Sequence, residues 1–274
     1  MSDQGDPLAR IAEALERLAP ATDGTPDWLS APAYGWSAKG VRAIPQIDAL
    51  PLDRLIGIDR QKAEVCANIT RHAAGFAAHD MLLWGARGTG KSALLRAAVA
   101  NEQAKSTKLA LVQLDLATVD ALPGLFDALR AVERQFLLFI DDLAFDNRDQ
   151  AALRSLRSAL EGSLDPRPAN VRLAVTTNHR SILAREAQDQ ADPLHERDRM
   201  DDTLALADRF GIRLGFHPFD RGGYLAIVHA HAAPLGLKVD EDEALAWSRR
   251  QGQLSGRSAR QFVTELAGRS GKRD

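Results

Sequence analysis

The chain has 274 residues and a mass of 29.8 kDa, long for one compact domain and short for two. Its 35 Lys+Arg and 37 Asp+Glu leave a net charge of −2, so bulk electrostatics give no case for wholesale binding to nucleic acid or an anionic membrane, though a local basic patch can exist. The single cysteine, Cys66, excludes an internal disulfide framework, no apolar run is long enough to span a bilayer, and the acidic N-terminus lacks a signal peptide's profile; the expected compartment is the cytoplasm, with no membrane partner.

Asp6 and Pro7 supply a cap and a first-turn proline, and Leu8, Ile11, Leu15 and Leu18 follow at helical spacing, which predicts an amphipathic helix over 6–19. The stretch Pro20 to Pro51 is rich in Pro, Gly, Ala and Ser and carries Trp28, Tyr34 and Trp36. It reads as an extended arm, so residues 1–50 are expected to form an N-terminal helix and arm that pack a few aromatics elsewhere. From Leu55 the pattern alternates. A helix over about 60–76 leads to the apolar run Met81–Trp84, a glycine loop and a helix over 91–103. The run Leu109–Leu116, a helix near 120–134, the run Phe136–Ile140, a helix over 149–161, the run Val171–Thr176 and the short run Ile212–Phe216 follow. Short apolar runs separated by helices predict an α/β core over 51–218, a parallel five-stranded sheet flanked by helices. After Phe219 only helical patterns occur, over about 220–233, 240–251 and 256–268, which predicts a small C-terminal α-helical lid over 219–274.

Gly85-Ala86-Arg87-Gly88-Thr89-Gly90-Lys91-Ser92 matches the phosphate-loop pattern G-x-x-x-x-G-K-[ST] in full, directly after an apolar strand and before an apolar-periodic helix. Glycines let the backbone wrap phosphates with its N–H groups, and the helix N-terminus adds a positive dipole end. Gly85, Arg87, Gly88, Thr89 and Gly90 are therefore candidate nucleotide-binding residues. Lys91 is expected to reach the β- and γ-phosphates and Ser92 to ligate Mg²⁺.

The run Phe136–Ile140 ends in two acids, at the carboxyl edge where open α/β sheets bind ligands. Asp141 is the candidate metal partner and Asp142 the candidate base for the attacking water. The run Val171–Thr176 ends at Thr177-Asn178, where Asn178 can orient that water. Arg209 precedes the last strand; of no use there to its own site, it is the candidate arginine finger for a neighbouring subunit's γ-phosphate, with Arg213 as competitor. Ser255 to Phe262 opens the final helix, where an arginine can swing over the nucleotide; Arg260 is preferred over Arg257. No guanine-reading motif occurs, which favours ATP over GTP.

This ordered set resembles an AAA+ ATPase: phosphate loop, Asp-Asp strand, Asn strand, Asp208-Arg209-Phe210-Gly211 and a helical lid with Gly-x-x-x-Arg. Leu55-Ile56-Gly57-Ile58-Asp59 resembles that superfamily's adenine-contacting segment, which implies base contacts at Gly57 and Ile58. More narrowly, Leu82–Leu95, Phe139–Phe145, Leu160–Gly162 with Arg167–Val171, Leu206–Phe219 and Ser255–Phe262 resemble a bacterial family of AAA+ proteins known only as a domain of unknown function. The resemblance spans roughly residues 50–268 and implies Mg-ATP binding, slow hydrolysis and lid-coupled motion on an unidentified protein client, with a homo-oligomer possible. Many members carry Asp-Glu where this chain has Asp141-Asp142. The DNA-replication initiator and helicase-loader branch is similar to Asp-Asp, which leaves a DNA-associated ATPase as an alternative. A small-molecule kinase is a further one, since it shares the same loop. Ala117 to Gly124 lacks the aromatic-hydrophobic-glycine pore motif, which argues against pulling a chain through a ring.

Overall fold

The computed structural model describes residues 26–106, 108–143, 150–161, 166–178 and 206–272; the helix expected over 6–19 lies outside them. Its strands are β1 (Ala33–Ser37), β2 (Gly40–Ile44), β3 (Met81–Gly85), β4 (Leu109–Leu114), β5 (Gln135–Ile140), β6 (Val171–Thr177) and β7 (Ile212–Phe216). The longer helices are α1 (Asp59–Ala73), α2 (Lys91–Gln103), α3 (Leu122–Arg130), α4 (Gln150–Glu161), α5 (Arg221–Ala232), α6 (Glu241–Arg250) and α7 (Gly256–Arg269). One sheet forms in the order β2-β1-β4-β5-β6-β3-β7, parallel throughout except for the antiparallel edge pair β1–β2.

The apolar runs are strands because both sheet faces are covered. Side chains alternate across a strand, so Leu82, Leu138 and Leu173 enter the core on one face, while Met81, Leu83, Leu137, Phe139 and Ala174 enter the core on the other. The lid has a separate core, in which Tyr224, Val228, Ala259 and Phe262 are buried. Its helices are locally encoded: Asp220 caps α5 through Gly223 N–H, Asp240 caps α6, and Ser255 with Ser258 forms a capping box on α7.

The sheet has seven strands, not the expected five. Both extra strands come from the segment read as an arm. The chain reverses at Ala38-Lys39, Gly40 takes the left-handed φ of 103° that the turn requires, and β1 then pairs with β4 at Tyr34↔Val112. Small residues and a hairpin turn hid an edge ribbon whose burial is supplied by the partner strand, not by its own sequence.

That segment is tied down from beneath. Tyr34 is 1% exposed; its hydroxyl donates to Asp27 O at 2.8 Å and accepts from Ala31 N–H at 3.0 Å. Trp28 packs between Tyr34 and Phe136, with ring centroids 4.9 and 5.9 Å away. The buried guanidinium of Arg134 donates to Trp28 O at 2.9 Å, Ala31 O at 2.7 Å and Leu109 O at 3.2 Å. Burial holds its pKa below the ordinary arginine value, with Tyr34 and Asp27 opposing the fall. The Arg167–Val171 segment does similar work next door. Arg167 pairs with buried Asp80 at 2.8 Å, and the Asn170 amide donates to Leu129 O, Val132 O and Arg134 O at 2.9–3.1 Å, closing the end of α3.

Replacing Arg134 by Met takes the guanidinium donor from Trp28 O and Ala31 O, while Leu109 O keeps the Gln103 amide at 3.0 Å. Arg134→Met is expected to lower unfolding free energy by about 2–4 kcal/mol, read from urea midpoints, with amide exchange rising first in β1 and β2.

Candidate functional site

The sheet order sets the site. The sequence places β3, β5 and β6 far apart, but β6 lies between β5 and β3, so their carboxyl ends bring the phosphate loop, Asn178 and the Asp141-Asp142 pair side by side. They open onto a cleft of about 1120 Å³ between sheet and lid.

Three loop glycines have three different reasons. At Gly85 (φ 131°) a Cβ would sit 2.0 Å from Phe216 O, so β7 can approach only a glycine. At Gly88 (φ 74°) a Cβ would meet Ser255 at 2.8 Å, because the start of α7 rests on the loop and Gly256 N–H donates to Gly88 O at 2.8 Å. Gly90 (φ 98°) is the left-handed residue from which α2 starts, with Ile58 packed over it. Thr89 ties the loop to itself, its hydroxyl donating to Ala86 O at 2.8 Å.

Lys91 is 6% exposed, and its ammonium donates to Gly85 O and Ala86 O at 2.8 Å and to Asn178 Oδ1 at 2.9 Å. Three donors meet three acceptors, so the charge is fully hydrogen-bonded. Burial pushes its pKa down to about 8; Asp142 and Asp141 pull it back up, while Arg87 and Arg257 add to the fall. The other end of the Asn178 amide donates to Asp142 Oδ1, so one side chain spans the lysine and the candidate base. Arg87 approaches Asp142 Oδ2 at 3.6 Å. Ser92 Oγ donates to Asp141 Oδ1 at 2.5 Å, which places a hydroxyl and a carboxylate in contact at the start of α2.

Ile58 packs against Gly90 of the loop, and Gly57, just before it, is not among the residues lining the cleft. Gly57 is left-handed (φ 76°), with Phe219 packed where a Cβ would project, and Ile58 lines the cleft with Ile56 and Ile227. Arg257 and Arg260 both line the cleft. Arg257 is the nearer to the phosphate loop, its Cβ 3.5 Å from the position of a Gly88 Cβ, and its charge reaches Lys91; Arg260 stands one turn further along α7. Arg209 is not brought to this cleft. It precedes β7 at the opposite edge of the sheet, in a smaller cleft of about 490 Å³ with Arg167, Arg172 and Asp80. Arg213 is held in an exposed pair with Asp208 at 2.5 Å.

Among the cleft residues absent from the sequence reading are Thr176 and His231. Thr176 is buried and bonded to Asp141, and it carried one weak signal, a hydroxyl near the end of a largely apolar strand. His231, one turn beyond Ile227 on α5, is a buried polar side chain lining the cleft; nothing in the sequence set it apart from His229. Among the described residues no group of three or more His, Cys, Asp or Glu is arranged to hold a metal by itself, and no helix is long and apolar enough to cross a membrane.

The profile of the family described as Protein of unknown function (DUF815) matches residues 29–270. The chain belongs to this family. No curated protein matches it. Among solved structures, it is similar to the Thermotoga maritima RuvB Holliday junction branch migration motor, with 20% identity, a TM-score of 0.51, and coverage of 81% of this chain and 66% of that one. It is similar also to the Aeropyrum pernix ORC1 protein, solved in complex with DNA (16% identity, TM-score 0.57, 83% and 62% covered). C. elegans PCH-2 gives 16% identity and a TM-score of 0.53, with 79% and 64% covered. The chain thus spans slightly less than two thirds of these proteins' lengths. Their shared fold is that of AAA+ ATPases, and this member of the DUF815 family has it.

The close approach of β7 makes Gly85 a structural position, and it is not among the residues lining the cleft. Gly85→Ala is expected to lose about 3 kcal/mol or more in thermal or urea unfolding, because the obstructing atom is backbone and cannot rotate away.

Proposed function

We propose that the protein binds Mg-ATP in the cleft between sheet and lid and hydrolyses it slowly, as a nucleotide-dependent switch or remodeller of a macromolecular client. The observation that carries this reading is the convergence at one end of the cleft. The buried Lys91 ammonium, the Ser92–Asp141 pair and the Asn178–Asp142 pair meet there on three neighbouring strand ends. Ile56, Ile58 and Ile227, also lining the cleft, offer apolar surface suited to a purine face.

Mg²⁺ fits the donors present. Ser92 Oγ and Asp141 are hard oxygen ligands, the kind Mg²⁺ takes alongside phosphate oxygens and water. Bound there, the ion would offset the charge of the β- and γ-phosphate oxygens. The chain's own residues supply the rest. Lys91 exchanges its loop carbonyls for phosphate oxygens, and loop N–H groups close around the triphosphate. Asp142 accepts the proton of the attacking water, held at the correct distance by Asn178. The cations Arg257 and Arg260 of α7 close from the lid side. Arg209 faces away from this cleft, and it acts on a nucleotide held by a second copy of the chain.

Calorimetric titration with Mg-ATP tests the assignment. Binding by the wild-type protein and its loss, by at least about 100-fold, in Lys91→Ala are expected; unchanged affinity in the variant overturns it. The pH dependence has a defined sign. Lys91 in the free protein titrates near 8, whereas an ammonium held by phosphates titrates higher. Above pH of about 8 binding must therefore take up a proton, and affinity falls by up to about tenfold per pH unit, while below it affinity is insensitive to this group.

A second measurement addresses Arg209. Turnover per subunit should rise with protein concentration, and Arg209→Ala should lower it by on the order of 10³-fold while leaving Mg-ATP affinity unchanged. Turnover that is the same at every concentration and in the variant removes the cross-subunit role.

A further inference from the structure

Thr176 is the sixth residue of β6 and 1% exposed. A buried hydroxyl must use its proton and a lone pair, and this one spends both on the tip of β5. It donates to Asp141 Oδ1 at 2.6 Å and accepts from Asp142 N–H at 2.9 Å. The Thr176 carbonyl then accepts from Leu143 N–H at 2.8 Å. Three consecutive residues after β5 are thereby stitched to one residue of β6. The chain they hold is not relaxed. Asp142 has φ 56°, and among the described residues it alone is left-handed without being glycine. Such a conformation persists where its surroundings over-determine it. Here the Thr176 hydroxyl and carbonyl grip the residues on either side of the strained one, as well as its own amide.

We propose that Thr176 is a positioning residue for the nucleotide site. Its hydroxyl sets the rotamer of Asp141 for the metal and the left-handed turn that aims Asp142 at water. The proposal rests on the Mg-ATP reading above and deepens it. Ser92 and Thr176 reach the same carboxylate oxygen, at 2.5 and 2.6 Å, so Asp141 is gripped from the phosphate-loop side and from the β6 side. A methyl group in place of the hydroxyl leaves β6 packed, but frees Asp141 to rotate and leaves the Asp142 amide unpaired. Loss of such an outer partner typically costs 10- to 100-fold in metal affinity or activity.

The test compares Thr176→Val, which keeps shape and removes the hydroxyl, with Thr176→Ser, which keeps the hydroxyl, in the full chain. ATP binding is measured in EDTA and across a Mg²⁺ titration, together with turnover. In EDTA, where Lys91 and the loop carry the binding, Thr176→Val is expected to match the wild type within about twofold. The Mg²⁺ concentration for half-maximal tightening of ATP binding should rise about tenfold or more, and turnover should fall by about 10- to 100-fold. Thr176→Ser should restore both to within about threefold. Should Thr176→Val fail to fold, Thr176→Ala takes its place in the same comparison.

Unchanged Mg²⁺ dependence in the hydroxyl-free variant overturns the proposal. So does equal damage in Thr176→Ser, or loss of EDTA-state binding in step with turnover, since each points to packing of β6 and not to aim. A wild-type chain that binds no ATP under any condition fails differently: it removes the Mg-ATP reading itself.

Discussion

The ammonium of Lys91 is the contact on which the site depends. A buried charge survives only when its hydrogen bonds are complete, and here completion draws on two carbonyls of its own loop and the side-chain oxygen of Asn178 at the end of β6. Because that same amide reaches Asp142, a positive and a negative group are held at fixed separation through one planar side chain. Each half of the arrangement is poised for exchange. The lysine has oxygens to give up for better ones, and burial lowers its pKa to about 8 despite the two aspartates nearby. A triphosphate would replace neutral acceptors with charged ones.

Much of this was legible in the chain itself, for a physical reason. The phosphate loop is a local device whose glycines, lysine and serine act within eight residues, so spacing alone defines it. Five of the strands read as short, largely apolar runs, and the lid helices advertise their starts with Asp220, Asp240 and Ser255. What escaped depends on contacts between distant segments. β1 and β2 are strands because β4 offers an edge at Tyr34↔Val112, and nothing in Gly40–Ile44 announces it. Thr176 matters through β5, its partner across the sheet, and the nearness of Arg257 to the loop follows from where α7 lands.

The edge ribbon also changes what counts as core. Trp28, Tyr34 and the Arg134 guanidinium lie under the N-terminal ends of the strands, so the segment before residue 50 helps build the same sheet that carries the site. Arg134 does this chiefly through backbone carbonyls, with Tyr34 beside it. Such a cluster is directional. It fixes where the chain enters the sheet better than apolar contact would, at the cost of desolvating a cation.

The amide of Gly256 leaves one last consequence. Its bond to the Gly88 carbonyl joins the first residue of α7 to the middle of the phosphate loop, and a hydrogen bond of this kind is lost within a few tenths of an ångström. With 14 residues α7 is a rod of about 21 Å, so tipping it about 10° at that end carries Arg269 through roughly 4 Å. Were that peptide to turn toward an anion, it would be the short arm of a lever, with the far tip of the cap as its long one.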